Sequence, residues 1–155
     1  MRAVIDKILE VLTVAMMAVL VLACLWQVFT RFALSSPSRF TEELMRYGLV
    51  WLSLLGAPYA YGRGKHVAVT LIFNKLSPSG QRYMSTLVDA LVAFFAVVVL
   101  IIGGIIVGRN AAGQISAALQ LPMPVFYFFA PVSGLLFLFY VAINIKERFT
   151  AGKEA

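Results

Sequence analysis

Four long apolar runs constrain this chain more than any other feature of its sequence. They cover Ile8–Phe29, Leu44–Tyr61, Leu87–Val107 and Pro124–Ile145. A run of about 20 apolar residues spans the hydrocarbon core of a bilayer, which is roughly 30 Å thick. Because lipid offers no hydrogen-bond partner, each run must pair its own backbone N–H and C=O groups, as a helix does. The sequence therefore predicts one all-α integral membrane domain, residues 1–155, with four transmembrane helices.

The composition excludes a water-soluble domain. Charged residues make up 13% of the chain and hydrophobic residues 61%, whereas soluble domains carry about 25% charge. The alternating segments of about ten residues that mark a membrane β-barrel are absent from the sequence. The formal net charge of +6 is scattered along the loop ends, so we expect contact with membrane lipids and no binding of nucleic acid.

The positions of the basic residues predict the orientation in the membrane. With a cytoplasmic N-terminus, nine lysines and arginines lie inside and four lie outside, in line with the positive-inside rule. The nine are Arg2, Lys7, Arg63, Lys65, Lys75, Arg82, Lys146, Arg148 and Lys153, and the four are Arg31, Arg39, Arg46 and Arg109. Both termini are therefore predicted to be cytoplasmic.

The segment between the second and third predicted helices carries the one histidine of the chain. Gly62–Lys65 is a break at the membrane surface, and His66–Leu76 mixes apolar with polar residues, which predicts a short interfacial helix. With one histidine and one cysteine, Cys24, the sequence cannot form an internal disulfide or a bis-histidine haem site. No nucleophile with a nearby base is recognisable either, so we expect neither an enzyme nor a cofactor or metal site.

A charged cluster precedes the second predicted helix on its outer side. We expect Thr41 to cap that helix, with Glu42 and Glu43 in its first turn, where carboxylates favour the positive end of the helix dipole. Arg39 with Glu43, and Glu42 with Arg46, stand four residues apart and predict ion pairs. Capping and pairing are a better interpretation than acid–base chemistry. With Arg31, the same cluster is also a candidate surface for another protein.

Small residues and prolines predict where helices pack closely or bend. Gly56 with Ala60, and Gly104 with Gly108, are pairs at spacing four that let a neighbouring helix approach. The segment 108–120 is polar enough to leave the membrane as a helical extension. Prolines at 58 and 131 predict bends in the second and fourth helices.

Asp89 is the one acid within a predicted span, and intramembrane acids are functional candidates by default. It lies about two turns from Arg82, so a salt bridge at the cytoplasmic edge could satisfy its charge. Structural pairing is favoured over ion or proton coupling, and both interpretations stay open.

One ordered set of residues extends over nearly the whole chain: Arg31, Thr41-Glu42-Glu43-Leu44, Arg46, Trp51, Leu55-Gly56, Ala60, Arg63 with His66-Val67, Leu121-Pro122, Pro124 and Pro131. In this order and spacing, the set resembles the small membrane subunit (DctQ-like, Q subunit) of tripartite ATP-independent periplasmic (TRAP) transporters. Two positions depart from the family pattern, which often has Trp where this chain has Phe40 and an acid where it has Thr70.

The resemblance implies a three-part machine in the bacterial inner membrane. A large membrane subunit, joined to the small one as a heterodimer, carries the substrate and ion sites. A periplasmic protein delivers organic acids such as C4-dicarboxylates or sialic acid, and the partner subunit uses a sodium gradient. In this chain, the candidate contacts with those partners are Arg31, Arg39, Glu42, Glu43, Arg46, Trp51, Gly56, Gly104 and Gly108.

Two other classes of function compete with this one. A small self-assembling four-helix transporter, such as a drug exporter, needs a membrane-embedded acid facing a pore, and Asp89 is the candidate. A membrane enzyme or haem protein is disfavoured by the single histidine and cysteine.

Overall fold

The computed structural model describes residues 2–36, 38–63 and 78–151, and the regular elements in those ranges are helical. In chain order they are α1 (Arg2–Phe32), α2 (Arg39–Gly62), α3 (Pro78–Phe95), a π-helical segment (Ala96–Gly103), α4 (Gly104–Asn110), α5 (Met123–Tyr127) and α6 (Phe129–Ala151). The third to fifth of these follow one another without a gap, and α5 and α6 are separated by one residue. The all-α prediction is confirmed, and the elements group into four long helical rods, each extending beyond its predicted run. The predicted interfacial helix, His66–Leu76, lies outside the described residues.

Three of the rods are long and apolar enough to cross a membrane. They are Arg2–Phe32, Tyr83–Asn110 and Met123–Glu147. The 24 residues of α2, at about 1.5 Å of rise each, are long enough as well. Its composition is less apolar, because Arg46, Ser53 and several tyrosines fall within its predicted span. The fourth span therefore stays a prediction.

The rods are layered, with α6 in the middle. Helix α6 packs on α2 and also on α3 and the π-helical segment, while α1 packs mainly on α2. The shared core is made of eight buried residues: Leu9, Leu55, Tyr61, Ala96, Leu100, Phe137, Tyr140 and Val141. Large apolar side chains of α1 and α3 instead point outward, as Val14 and Phe94 do. Lipid tails are as apolar as these side chains, so such faces suit a bilayer.

Two rods approach each other closely at Gly134 of α6. A Cβ atom there would lie 2.6 Å from Cγ1 of Ile101 and 2.9 Å from the carbonyl oxygen of Ala96. Both neighbours belong to the π-helical segment, so its widened turn presses its backbone against α6. Only a residue without a side chain fits this contact.

The predicted bend at Pro131 appears as a break three residues earlier. A proline cannot donate a backbone hydrogen bond and crowds the carbonyl four residues before it, which here belongs to Tyr127. The helix is interrupted at Phe128, between α5 and α6. The next hydrogen bond, from Val132 N–H to the Phe128 carbonyl, is long at 3.5 Å.

The predicted helical extension over 108–120 is wrong beyond Asn110, where α4 ends. Gly113, three residues beyond the end of α4, has φ +90°, a left-handed conformation that keeps the chain from resuming the helix. The chain then folds into a short hairpin-like loop with an isolated β-bridge between Ile115 and Pro122. Ser116 N–H donates to the Leu121 carbonyl at 2.9 Å and closes that loop. The prediction missed the loop because its closing bonds depend on backbone geometry, and polarity alone does not encode that geometry.

Candidate functional site

The charged first turns of α2 lie beside the loop that follows α4. Together they line an open groove of about 420 Å³. Arg39, Phe40, Glu42, Glu43 and Arg46 form one wall, and the backbone of residues 117–118 forms the other. We call this the outer groove. Four of the five residues in the cluster predicted from sequence line it, and Arg31, at the end of α1, does not.

The start of α2 is capped by Ser38, one turn before the predicted cap. Ser38 has extended backbone angles, and its Oγ accepts the N–H of Thr41 at 3.4 Å. The Thr41 hydroxyl in turn donates to the Ser38 carbonyl at 3.0 Å. The predicted cap, Thr41, is therefore inside the helix. The helix starts earlier because the Ser38 side chain accepts the N–H of Thr41, one of the donors that the first turn leaves without a partner inside the helix.

Glu43 spans the outer groove and holds the opposite loop. Its Oε2 accepts the backbone N–H of Ala118 at 2.7 Å and that of Leu119 at 2.9 Å. Partial desolvation raises the pKa of the Glu43 carboxyl, but hydrogen bonds from Leu119, Ser116 and Ala118 lower it more, and the net pKa lies below its ordinary value. The predicted ion pair between Arg39 and Glu43 is wrong, because successive backbone donors of the loop occupy this carboxylate.

The second predicted ion pair is confirmed. Arg46 Nη2 lies 3.4 Å from Glu42 Oε1, and both side chains are exposed. Such a surface pair contributes little to stability, so its main effect is on the charge of the groove. Within the described residues, Arg31 and Arg39 make no ion pair. Since Glu42 is paired and Glu43 is bonded to the loop, this end of the molecule presents an excess of free positive charge.

Below Glu43, an aromatic stack joins α2 to the start of the last rod. The Tyr47 and Phe126 rings are stacked with their centroids 3.9 Å apart. Trp51 stacks on Phe129 at 4.6 Å, and its Nε1–H donates to the Phe126 carbonyl at 3.1 Å. Glu43, Tyr47 and Trp51 are four residues apart and share one face of α2. The sequence indicated Trp51 as a contact residue, but the stack was not predicted, although the spacing of Tyr47 and Trp51 on one helix face was a signal for it.

The three glycines predicted as contact sites have different surroundings. A Cβ on Gly104 would lie 2.8 Å from Cδ of Pro131, so this glycine seats α4 against α6. A Cβ on Gly108 would be 3.8 Å from Cβ of Tyr127, which leaves room. Gly56 has nothing within 4 Å of such an atom, and its neighbour Ala60 is exposed. Within the described ranges of the chain, the face of α2 that holds Gly56 is therefore uncovered.

Asp89 is buried, with 3% of its surface exposed, and accepts a hydrogen bond from the hydroxyl of Tyr61. This contact joins α3 to the end of α2. The alternative partner named from sequence was Arg82, whose side chain lies outside what the structure describes. The Tyr61 contact favours structural pairing of Asp89.

A polar cluster at the opposite end of the molecule ties three rods together. Arg2 donates to Glu147 at 2.5 Å and to the carbonyl of Gly62 at 2.6 Å. The Tyr140 hydroxyl donates to Asp6 at 2.5 Å. The start of α1 therefore binds the ends of α2 and α6, and its guanidinium also satisfies a terminal carbonyl of α2. This cluster was not predicted from the sequence, because its members lie up to 145 residues apart in the chain.

Comparison with known proteins gives a consistent set of relatives. The family model described as the DctQ component of tripartite ATP-independent periplasmic transporters matches residues 20–151. A putative TRAP transporter small permease protein of Haemophilus influenzae is 30% identical over 132 residues, covering 85% of this chain and 81% of that protein. The sialic acid TRAP transporter small permease protein SiaQ of Vibrio cholerae is 34% identical over 102 residues, 64% of this chain and 59% of that protein. The ectoine TRAP transporter small permease protein TeaB of Halomonas elongata is 27% identical over 128 residues, 78% of this chain and 65% of that protein.

Proposed function

This multi-pass membrane chain belongs to the family of DctQ components, the small permease subunits of TRAP transporters, and from that premise we propose its role in detail. It is the scaffold partner of a large, ion-coupled membrane subunit, with which it forms a heterodimer. The complex takes up organic acids that a periplasmic binding protein delivers. The chain itself carries no catalytic group, and the large subunit uses the sodium gradient. Both termini face the cytoplasm of a bacterial cell, and the complex lies in the inner membrane.

The observation that carries the scaffold role is the uncovered face of α2. Leu49, Ser53, Gly56 and Ala60 follow one another at helical spacing, and none of the residues that the structure describes covers Gly56. The outward faces of α1 and α3 carry large aliphatic and aromatic side chains, whereas small residues dominate the lower half of this face. Small residues allow close approach of a second helix in a membrane. The proposal assigns this face to the large subunit.

The outer groove is the proposed contact for the periplasmic binding protein. It combines the free positive charge of Arg39 with the exposed ring of Phe40, and Glu43 fixes its far wall. A cationic surface steers an acidic partner and speeds encounter. The predicted partner surface is therefore acidic.

The proposed substrate class is based on the names of two relatives. One of them is named for sialic acid and another for ectoine. We infer an organic acid, such as a C4-dicarboxylate or sialic acid, bound by the other two components of the transporter.

Affinity purification of the full chain from its native membrane in mild detergent tests the scaffold role. We expect one large polytopic membrane protein to come with it at about one to one. Gly56→Leu would fill the uncovered face of α2 and reduce that recovery. Val14→Leu, on the lipid-facing side of α1, is the matched control and should leave recovery unchanged. Recovery of the chain alone, as a defined oligomer, would contradict the proposal and favour the self-assembling alternative with Asp89.

A further inference from the structure

A second groove opens where α4 meets the break between α5 and α6. It has a volume of about 330 Å³ and an almost entirely apolar lining. Gly104 and Gly108 line one side, and Tyr127, Phe128 and Pro131 line the other. We call it the kink groove, since the interruption before Pro131 opens it.

The kink groove has room for a ligand because of two local features. Pro131 interrupts the last rod at Phe128, which parts α5 from α6. Gly108 has no side chain, and the nearest atom to a Cβ placed there would be 3.8 Å away, so the groove stays open at this turn. An apolar cavity of about 150 Å³ already takes up benzene. The kink groove is about twice that size and is large enough for a stretch of hydrocarbon chain.

One cationic residue is among those that line this groove. Arg109 lines it from the last turn of α4, one residue before the helix ends. Its side chain is exposed and makes no ion pair with the described residues. The end of a spanning helix is the level at which lipid headgroups lie, and arginine side chains there extend toward phosphate groups.

An apolar groove that is also lined by an arginine without an ion pair suits a ligand with both a hydrocarbon chain and a negative charge. We propose that the kink groove binds one acyl chain of an anionic phospholipid, with the lipid phosphate on Arg109. The charge of Arg109 complements the headgroup, while the glycine-lined wall takes the hydrocarbon. A soluble anion would leave the apolar wall unused, and a purely apolar ligand would leave the arginine unpaired. The proposal requires that the chain lies in a bilayer and does not depend on the identity of its partners.

Native mass spectrometry of the full chain tests the site. The protein is taken from nanodiscs that contain equal amounts of palmitoyl-oleoyl phosphatidylglycerol and the phosphatidylcholine with the same chains. We expect the wild-type chain to retain phosphatidylglycerol in preference. Arg109→Gln should reduce that preference by about fivefold, the effect of one basic residue at a membrane surface. Gly108→Leu should lower retention of both lipids.

Three controls separate this site from general lipid contact. Arg31→Gln removes another unpaired arginine at the same end of the molecule and should change nothing. Gly108→Ala adds a methyl group that fits and should keep the lipid. If Gly108→Leu fails to fold, Ile105→Trp places a larger side chain on the lining of the same groove and should also lower retention.

Two results would overturn the proposal. The first is a loss of phosphatidylglycerol in Arg31→Gln as large as that in Arg109→Gln. The second is unchanged lipid retention in folded Gly108→Leu. If that variant instead loses the large membrane subunit during purification, the groove is a subunit contact and the lipid assignment is wrong.

Discussion

The carboxylate of Glu43 accepts the backbone N–H of Leu119 at 2.9 Å, although the two residues are 76 positions apart. This bond and its neighbour from Ala118 fix the loop after α4 against the start of α2. The loop backbone is thereby the second wall of the outer groove. Glu43 is used inside the chain, and Glu42 beside it is available to the surface.

Replacing Glu43 by Gln should loosen that wall. A neutral amide accepts weaker hydrogen bonds than a carboxylate, so we expect backbone amide exchange at Ala118 and Leu119 to become about tenfold faster. Hydrogen exchange measured by mass spectrometry checks this. Glu42→Gln, which removes the adjacent charge but no bond to the loop, is the control. Equal acceleration in both variants would show that general charge, and no specific bond, holds the loop.

The same bond predicts a dependence on pH. The pKa of Glu43 is lower in the folded chain than in the unfolded one. Its stabilising contribution is therefore complete above the unfolded value, about 4.3, and is lost as the pH falls through the folded value. The difference in unfolding midpoint between wild type and Glu43→Gln should be constant from pH 7 to 5 and shrink below about pH 4. A difference that persists undiminished at pH 3 would contradict this assignment.

Trp51→Phe separates the two contacts of the aromatic stack. Phenylalanine keeps the ring between Phe126 and Phe129 but removes the N–H donor to the Phe126 carbonyl. We expect a loss of about 1 kcal/mol in the free energy of unfolding. Trp51→Ala also removes the ring and should cost about 3–5 kcal/mol. Denaturant unfolding in detergent measures both, and equal losses would mean that the ring contributes nothing.

Gly104 and Gly108 form a matched pair for testing close packing. Ala at Gly104 would press on Pro131 at 2.8 Å and should destabilise the chain by about 1–3 kcal/mol. Ala at Gly108 meets nothing closer than 3.8 Å. It should be neutral or stabilise by up to about 1 kcal/mol through its higher helix propensity. Thermal unfolding of the two variants in one detergent checks the contrast, and a reversed order would refute the packing of α4 on α6.

Asp89→Asn distinguishes the two transport hypotheses. In the proposed small subunit, Asp89 pairs with Tyr61 and does no transport chemistry. Reconstituted with its partners, the Asn variant should keep most of its substrate uptake. Tyr61→Phe, which removes the hydroxyl donor, should lower stability by about 1–3 kcal/mol and leave uptake by the assembled complex unchanged. Abolished transport in Asp89→Asn, with assembly intact, would favour the self-assembling transporter.

The amino-acid sequence was sufficient to predict the helices, because long apolar runs leave few alternatives in lipid. It also predicted the Glu42–Arg46 pair, whose two residues lie one turn apart on the same helix. Sequence spacing predicted the wrong partner for Glu43, since the loop donors come from a distant part of the chain. A carboxylate near several possible donors accepts hydrogen bonds from the donors that the tertiary structure places beside it.

The candidate site was predicted only in part, because sequence spacing shows neighbours within one helix but not neighbours from distant parts of the chain. Residues of one helix turn, such as Arg39 and Arg46, do line the outer groove. The aromatic stack of Trp51 on Phe129 and the cluster around Arg2 required knowledge of which rods are neighbours. The order of the rods, with α6 central, follows from packing contacts such as Gly134 against Ile101, which no local pattern encodes.

The contact of Arg2 with Glu147 bears on how the protein is made. A ribosome releases the first helix long before the residue that completes its polar cluster has been synthesised. The hairpin of α1 and α2 can enter the membrane early, with Arg2 bonded to the carbonyl of Gly62, but the bond of Arg2 to Glu147 forms only when the last helix arrives. We therefore expect the first and last helices to bind each other in a late step of folding. A protein fused before Arg2 should disturb that step more than it disturbs membrane insertion.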